Sequence, residues 1–288
     1  MQAKKILITG AYGLIGNKLF RHLDGPGGGY EVYGLGRRKA PSKRLKEEAS
    51  YVIDRERYAV VDIADFEAVK RSLQGMDVVV HMAADPGSED WQSIRSSNLT
   101  GAYNVLEAAR QNAVKRVVLA STVQVNRGYA LQEEYEKVFA GECEELPAGF
   151  RRIRHTDPVK PVSLYGASKV WTEALAHVYA HAHGVSCLCV RIGWVTPSDW
   201  PDRRMVFPVW CSARDATAMI ELCIEAPMSL RFDVFYAVSD NRCGWADIDH
   251  AREVLGYEPR DHSEDYRERF RTQAQGNQPD LGWRSEAQ

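Results

Sequence analysis

Two side chains near the start of one predicted helix have the types and the spacing needed for proton transfer. Tyr165 and Lys169 lie four residues apart, so they share one helix face. An ammonium group beside a phenol favours the phenolate, which lowers the tyrosine pKa from about 10 towards the range of a general base. Thr122 ends an earlier apolar strand, where its hydroxyl can hold a substrate oxygen or simply cap the turn. Together these residues predict acid–base chemistry on a hydroxyl or carbonyl group.

A glycine-rich turn near the N-terminus predicts a dinucleotide site. The turn, Gly10-Ala11-Tyr12-Gly13-Leu14-Ile15-Gly16, follows the first predicted strand and opens the first helix. Glycines there allow a pyrophosphate to approach backbone N–H groups, and the positive end of the helix dipole favours an anion. The residues expected to contact the cofactor here are Gly10, Tyr12, Gly13, Leu14, Ile15 and Gly16.

The residues after the second predicted strand bear on which dinucleotide binds. An acidic residue at that place binds the ribose hydroxyl of NAD in folds of this kind, but this chain has Gly36-Arg37-Arg38. Two guanidinium groups supply donors for a 2′-phosphate, so Arg37 and Arg38 favour NADP over NAD. Asp62 ends the third predicted strand, where it can bind the adenine amino group or cap the next helix.

Short β-branched runs alternate with amphipathic helical stretches, a pattern typical of a parallel sheet covered by helices. The expected strands are Lys5–Thr9, Glu31–Leu35, Tyr58–Val61, Asp77–His81, Lys115–Ala120 and Ser186–Ile192. The fold class is therefore α/β, a doubly wound parallel Rossmann sheet with a small C-terminal lobe. We expect a dinucleotide-binding domain over 1–195 and a substrate-binding lobe over 196–288, partly interleaved with the sheet.

A long charged excursion over 125–162 interrupts this alternation. It leaves the sheet beside Thr122 and returns at Tyr165, so it must start and end at the predicted site. Long loops at such places often gate access to a substrate, and we expect this segment to act as a lid.

Composition excludes several classes of protein. The 288 residues carry a formal net charge of −2, which argues against a nucleic-acid partner. No run approaches the roughly 20 apolar residues of a membrane span, and the N-terminal apolar stretch is too short for a signal peptide, so a cytoplasmic protein is expected. The six cysteines show no CxxC pair and are expected to be reduced, and no metal site is predicted. His177, His181 and His183 cluster near a helix end, where favourable charge explains them more simply than a metal does.

The motifs together resemble those of the extended short-chain dehydrogenase/reductases, the NAD-dependent epimerase/dehydratase family. They are Thr-Gly-x-x-Gly-x-x-Gly at 9–16, Asp62-Ile63, His81-Met82-Ala83-Ala84, Asn98, Ser121-Thr122, Tyr165-x-x-x-Lys169 and Arg191-Ile192-Gly193. The resemblance implies a catalytic triad of Thr122, Tyr165 and Lys169, and a homodimer formed through the helices that begin near Trp91 and Tyr165. It also implies cofactor contacts from Asp62, Ile63, Met82, Ala83, Ala84, Asn98, Tyr165, Lys169 and Ile192.

The C-terminal half is similar to the uronate dehydrogenase branch of that family, through Arg204-Met205, Gly244-Trp245 and neighbouring motifs. This similarity implies oxidation of a free sugar or sugar acid at the anomeric carbon, with Arg204 holding a substrate carboxylate. The expected substrate-binding residues are Thr122, Val123, Gln124, Tyr165, Trp194 and Arg204. Val123, Gln124 and Trp194 depart from that branch, so the pocket should be reshaped.

Three functions remain open at this stage. The first is an NAD(P)-dependent oxidoreductase that acts on a small hydroxyl or carbonyl compound. The second is an epimerase or dehydratase on a nucleotide-linked sugar with tightly bound NAD, although the short C-terminal lobe argues against it. The third is a protein that senses a dinucleotide without catalysis.

Overall fold

A computed structural model of the chain describes residues 3–25, 29–45, 50–87, 90–143 and 146–274. Its centre is a seven-stranded parallel sheet with the strand order β3-β2-β1-β4-β5-β6-β7. The strands are β1 Lys4–Thr9, β2 Tyr30–Gly36, β3 Tyr58–Val60, β4 Val78–His81, β5 Arg116–Thr122, β6 Ser186–Ile192 and β7 Phe232–Ala237. The predicted fold class, a doubly wound parallel sheet, is confirmed.

Helices cover both faces of this sheet. The α-helices are α1 Leu14–Leu23, α2 Phe66–Ser72, α3 Trp91–Ser93, α4 Gly101–Gln111, α5 Glu133–Phe139, α6 Leu164–His183, α7 Ala213–Glu225, α8 Asp249–Leu255 and α9 Arg267–Ala274. A π-helix, Ile94–Thr100, joins α3 to α4, and 3-10 helices cover Arg55–Arg57, Val123–Leu131, Arg204–Val209 and Ser263–Tyr266. None of the described helices is long and apolar enough to cross a membrane.

The two layers follow from the alternation of side chains along each strand. Ile6 and Ile8 pack with α1 and α7 on one face, while Leu7 packs with α2, α4 and α6 on the other. α6 begins where the Ser163 side chain accepts a hydrogen bond from the Gly166 N–H, and it ends at Gly184 in a left-handed conformation. The helix that carries Tyr165 is therefore fixed at both ends.

The seventh strand was not expected from the sequence. β7 pairs with β6 along its whole length, from Cys187 opposite Phe232 to Ile192 opposite Ala237. Asp233 interrupts its apolar run, and the first three residues are only half-buried, so the strand pattern is weak. The described part of the segment 196–288 ends at Ala274. It contributes β7 to the central sheet and α7 to one of the helical layers. The remainder of the segment lies outside the described residues, and the division at 195 stays a prediction.

The excursion over 125–162 folds into structure of its own. Its outgoing and returning arms are joined by hydrogen bonds from the Gly128 N–H to Lys160 O, 2.7 Å, and from the Lys160 N–H to Val125 O, 2.8 Å. The Ile153 N–H also donates to Trp245 O at 2.8 Å, which ties the excursion to the C-terminal segment. A third apolar cluster lies between these two segments and includes Phe139 and Trp245.

Candidate active site

The strand order reverses between β1 and β4, which is where open α/β sheets form a cleft at the carboxyl ends of their strands. Two adjoining cavities of about 380 and 480 Å³ lie there and share Gly10, Gly13, Arg38, Met82 and Ala84 in their walls. They form one groove that runs from the end of β2 to the end of β5. The part beside β1, β2 and β4 is called the cofactor half below, and the part beside β5 and β6 the substrate half.

The cofactor half is lined largely by backbone. Gly13 precedes α1 without a side-chain cap, so the first N–H groups of this helix are available to an anion in the cleft. Gly10 has a φ of +69°, and a Cβ atom there would lie 2.9 Å from the Ala83 backbone. Such a cradle fits the pyrophosphate of a dinucleotide. The predicted cofactor residues that line this half are Gly10, Tyr12, Gly13, Leu14, Ile15, Gly16, Arg37, Arg38, Ile63, Met82, Ala83 and Ala84. Ile192, also predicted to contact the cofactor, ends β6 and lines the substrate half.

A buried hydrogen-bond chain holds the loop after β4 against this turn. The Thr9 hydroxyl accepts hydrogen bonds from the Met82 and Ala83 N–H groups, at 3.1 and 3.0 Å. Thr9 Oγ1 also lies 2.9 Å from His81 Nδ1, so its single hydrogen is directed to that nitrogen. Burial lowers the pKa of His81 to about 3, and the positive charge of Lys169 acts in the same direction. His81 is therefore a neutral residue that lies beneath the cofactor wall.

Thr122, Tyr165 and Lys169 meet in the substrate half, as the sequence predicts, and all three line the 480 Å³ cavity. Lys169 is buried and donates to Ala120 O at 2.7 Å, and its Nζ lies 5.7 Å from the centroid of the Tyr165 ring. Thr122 ends β5 and Tyr165 opens α6, so the sheet and the helix bring the two hydroxyl groups together.

The pKa of Tyr165 in the free site differs from the sequence-based expectation, which was a lowered value. Burial raises the pKa of Tyr165 to about 12, and a hydrogen bond with Thr122 partly offsets that effect. Burial lowers the pKa of Lys169 to about 8, against the opposing influence of Cys189 and Glu173. The free site therefore holds a protonated phenol, because removal from water penalises the phenolate more than its neighbours favour it.

The substrate half is lined by side chains from three separate segments. Val123, Gln124 and Trp194, the predicted substrate-binding residues, line the same cavity as Thr122, Tyr165 and Lys169, together with Arg203. A narrow side cavity of about 40 Å³ continues from them, walled by Val123, Gln124, Arg127, Ala130, Phe139, Trp194, Met205, Val209 and Trp245. Phe139 stacks on Trp245 with ring centroids 4.4 Å apart. The excursion thus forms one wall of the substrate half, and a closing movement of it stays a prediction.

Three predicted site residues lie beside or behind the cleft. Asp62 lies at the rim of the cleft, where its Oδ2 is 4.0 Å from Arg37 Nη1. Its Oδ1 accepts a hydrogen bond from the Ala64 N–H. Asn98 is buried and donates to Ser168 Oγ at 2.9 Å while it accepts from the Asp85 N–H at 2.8 Å, so it supports α6 from below.

The third residue, Arg204, faces a different cavity of about 430 Å³, which it lines with Phe207, Arg267 and Phe270. Its neighbour Arg203 enters the catalytic cavity instead, and the Arg203 guanidinium carbon lies 4.7 Å from the Trp194 ring centroid.

A buried ion pair beneath the triad was not predicted. Arg191 donates to both carboxylate oxygens of Glu173 at 2.9 Å, and the Ser121 hydroxyl donates to the same carboxylate at 2.6 Å. Arg191 also reaches Asn126 and Tyr236, so the network joins β5, β6, β7, α6 and the excursion. Glu173 lies one turn after Lys169, a spacing that could have drawn attention to it.

The profile of a family described as "NAD dependent epimerase/dehydratase family" matches residues 6–199 of the chain. The chain belongs to this family. It is 30% identical to an NAD-dependent glucose-6-phosphate dehydrogenase of Haloferax volcanii over 91% of its length and 95% of that protein. It is 32% identical to an L-arabinose 1-dehydrogenase (NAD(P)(+)) of the same organism, over 71% of this chain and 82% of that one.

Among solved structures, the crystal structure of uronate dehydrogenase from Agrobacterium tumefaciens superposes with a TM-score of 0.77 at 27% identity. The match covers 98% of this chain and 93% of that one. The family predicted from the motifs is confirmed, and so is the class of enzyme, an NAD(P)-dependent oxidoreductase.

Proposed function

We propose that this enzyme oxidises a free sugar or sugar acid at the anomeric carbon, with NAD(P) as the hydride acceptor. The single observation that carries the proposal is the convergence of Thr122, Tyr165 and Lys169 at the end of the glycine-lined cleft. Relatives named for glucose 6-phosphate, L-arabinose and uronate support a sugar substrate.

The residues of the triad divide the chemistry between them. Thr122 Oγ1 orients the substrate hydroxyl. Tyr165 first releases its own proton to solvent, and the phenolate oxygen then takes the hydroxyl proton of the substrate as the carbonyl forms. Lys169 lies 5.7 Å from the phenol ring, where its positive charge favours the phenolate in the reacting state. A bound NAD(P)⁺ would supply the hydride acceptor for the same carbon. The glycine turn and the loop after β4 are the segments that would hold the dinucleotide.

We further propose that an anionic group on the substrate is held by Arg203 rather than Arg204. Arg203 lines the catalytic cavity, whereas Arg204 faces a separate one. A guanidinium matches a carboxylate or phosphate through paired hydrogen bonds. Stacking on Trp194 restricts the Arg203 side chain and aims it along the wall of the pocket.

A preference for NADP over NAD is also part of the proposal. Arg37 and Arg38 line the cofactor half beside Gly36, where no carboxylate opposes a 2′-phosphate on the strand end itself. The ion pair of Arg37 with Asp62 is long, 4.0 Å, and both groups are largely exposed, so Arg37 can turn to a phosphate at little cost.

The proposed assembly is a homodimer in the cytoplasm. Large apolar side chains are exposed along two neighbouring helical segments, α3–α4 and α6: Trp91, Tyr103, Leu164, Trp171 and Val178. Such a surface suits a second copy of the chain. All six cysteines are free thiols, which suits a reducing compartment.

The deciding experiment follows nicotinamide reduction by purified protein with NAD and NADP in parallel, against uronic acids, aldoses and sugar phosphates. We expect turnover of a sugar, at least 100-fold slower turnover in Tyr165→Phe, and unchanged cofactor binding in that variant. Cofactor that stays bound without net reduction across the panel would instead favour an epimerase.

Two matched pairs of measurements test the finer points. Arg203→Ala should raise the KM for an anionic sugar about tenfold, and Arg204→Ala should leave it unchanged. The double variant Arg37→Ala with Arg38→Ala should lower kcat/KM for NADP and spare NAD. A variant with an unaltered NADP to NAD ratio would refute the preference.

A further inference from the structure

Three side chains able to bind a metal ion converge at a place away from the cleft. His155 comes from the returning arm of the excursion, Asp233 from β7 and His250 from α8. One donor atom of each residue lies within 4.8 Å of the other two. None of the three lines the two cavities of the cleft, and the reaction proposed above uses none of them.

The donor atoms of the three residues lie near one another. His250 Nε2 lies 2.9 Å from Asp233 Oδ1, and the His155 and His250 rings stack with centroids 3.8 Å apart. Two ligands on a tetrahedral zinc ion with bonds of about 2.0 Å lie roughly 3.3 Å apart. The donors are close enough to share one ion once the imidazole rings turn out of their stack, because a ring nitrogen coordinates in the plane of its ring.

Burial of the group is intermediate, which suits a site with one open position. The side chains of His250 and Asp233 are 26% and 18% exposed, so an ion can enter from solvent and keep a water ligand. Phe235 stacks on His250 with ring centroids 5.2 Å apart, and this packing keeps the imidazole of His250 beside Asp233.

The surrounding charges favour a cation. Arg191 donates to His155 O at 3.2 Å, and its guanidinium is also paired with the Glu173 carboxylate, which balances its charge. Asp247, on the segment before α8, is paired with Arg154 at 3.6 Å. Among the described residues, Asp233 is then the carboxylate that faces the two imidazoles without a fixed cation of its own.

We propose that His155, Asp233 and His250 bind one divalent transition-metal ion of the Zn²⁺ type. Two imidazoles and one carboxylate are donors that zinc takes, whereas Mg²⁺ and Ca²⁺ favour sites made of oxygen alone. Because the ligands come from the excursion, β7 and α8, an occupied site fastens the returning arm of the excursion to the sheet.

The chain offers a matched contrast to this group. His177 and His181 also lie side by side, on α6, with ring centroids 4.2 Å apart. In the described part of the chain, His155, Asp233 and His250 form a group of three donors that lie within 4.8 Å of one another. His177 and His181 have no third donor at that distance among the described residues. A pair of histidines without a third ligand should bind the ion far more weakly.

The test uses the full chain without a histidine tag, freed of metal by chelation and titrated with Co²⁺, whose visible absorption reports a tetrahedral site. We expect one equivalent to bind and Zn²⁺ to displace it. His155→Gln, Asp233→Asn and His250→Gln should each weaken binding at least tenfold. His177→Gln and Cys143→Ser should bind as the unaltered protein does.

Stability gives a second readout that does not depend on activity. Zn²⁺ should raise the Tm of the unaltered protein and slow proteolysis within 125–162, with neither effect in His250→Gln. Melting of the metal-free variants at the Tm of the metal-free parent shows that they are folded. The proposal is overturned if the parent binds no Co²⁺, if Asp233→Asn binds as tightly as the parent, or if Cys143→Ser abolishes the spectrum.

Discussion

The two halves of the cleft differ in what lines them: backbone in one and side chains in the other. The cofactor half is made of backbone from the turn after β1 and the loop after β4, held by Gly10, Thr9 and the neutral His81. The substrate half is made of side chains from three distant segments, of which Phe139, Trp194 and Trp245 are the largest. A backbone cradle tolerates little change and accepts one kind of ligand. A wall of side chains can be altered residue by residue, and so the substrate can change while the cofactor does not.

The largest expected effect is a pH-dependent loss of stability that comes from His81, in the cofactor half. The pKa of His81 is about 3 in the folded protein and about 6.5 when unfolded, so between these values the unfolded chain takes up a proton that the folded one refuses. Stability should therefore fall as pH falls from 6.5 to 3, by on the order of 5 kcal/mol from this group. Urea unfolding at several pH values measures the slope.

His81→Asn keeps an acceptor for the Thr9 hydroxyl and should flatten that slope, although it lowers stability at neutral pH. His22→Gln, at an exposed histidine paired with Glu221, is the control for removing a histidine outside the cleft. Equal slopes for the parent and His81→Asn would contradict the assignment.

The second largest effect on stability should come from the buried ion pair of Glu173 and Arg191, which lies beneath the triad. Glu173→Gln leaves the buried Arg191 charge without its partner and should cost roughly 3–5 kcal/mol of unfolding free energy. Both cofactor affinity and kcat should fall, because the network contacts Ser121 beside Thr122 and lies one turn from Lys169. Glu221→Gln, in a partly exposed pair, should cost less than 1 kcal/mol. Recovery of stability in the double variant Glu173→Leu with Arg191→Met would confirm that the unpaired charge is the cause.

A change confined to the cofactor half should be smaller still. Gly10→Ala forces a side chain into a left-handed conformation and against the Ala83 backbone, a strain of roughly 1–3 kcal/mol. The dinucleotide should bind about 10- to 100-fold more weakly, as measured by fluorescence titration. Gly75→Ala has the same backbone strain with open space around it, so it should leave cofactor affinity unchanged. Equal losses in both variants would show that strain alone is responsible.

The smallest effect should come from the substrate half. Phe139→Ala removes the ring that stacks on Trp245 and widens the side cavity. The sugar KM should rise about tenfold, equivalent to about 1.4 kcal/mol, while the dissociation constant of the dinucleotide stays constant. Leu131→Ala, an exposed apolar residue on the same excursion, should change neither constant. A parallel loss of cofactor affinity would remove the distinction between the halves.

Local patterns predicted the cofactor half well because its parts are local. The glycine turn and the end of β4 each occupy a few consecutive residues of that half. In the substrate half, the end of β5 and the Tyr165–Lys169 pair are local in the same way. The end of α6 is local too, because Gly184 ends the helix in the conformation that glycine favours. The six expected strands are all present.

The substrate half was harder to predict because it depends on register and burial. Arg203 and Arg204 are adjacent in sequence but line two different cavities. An error of one residue in the prediction therefore assigns the side chain to the wrong cavity. The pKa of Tyr165 rises because the folded chain buries the phenol, which spacing along a helix does not reveal. The grouping of His155 with His250 follows from the docking of the excursion on α8, and no sequence motif signals it.

The order of the strands along the chain has a consequence for how the protein is made. β1 to β4 and the glycine turn all emerge from the ribosome before the excursion begins, so the dinucleotide cradle can form during synthesis. β7 and α8 emerge well after the excursion, and the excursion can dock only when they are present. We therefore expect the last slow step of folding to be the closure of the substrate wall, and a nascent chain to bind the dinucleotide before it can bind a sugar.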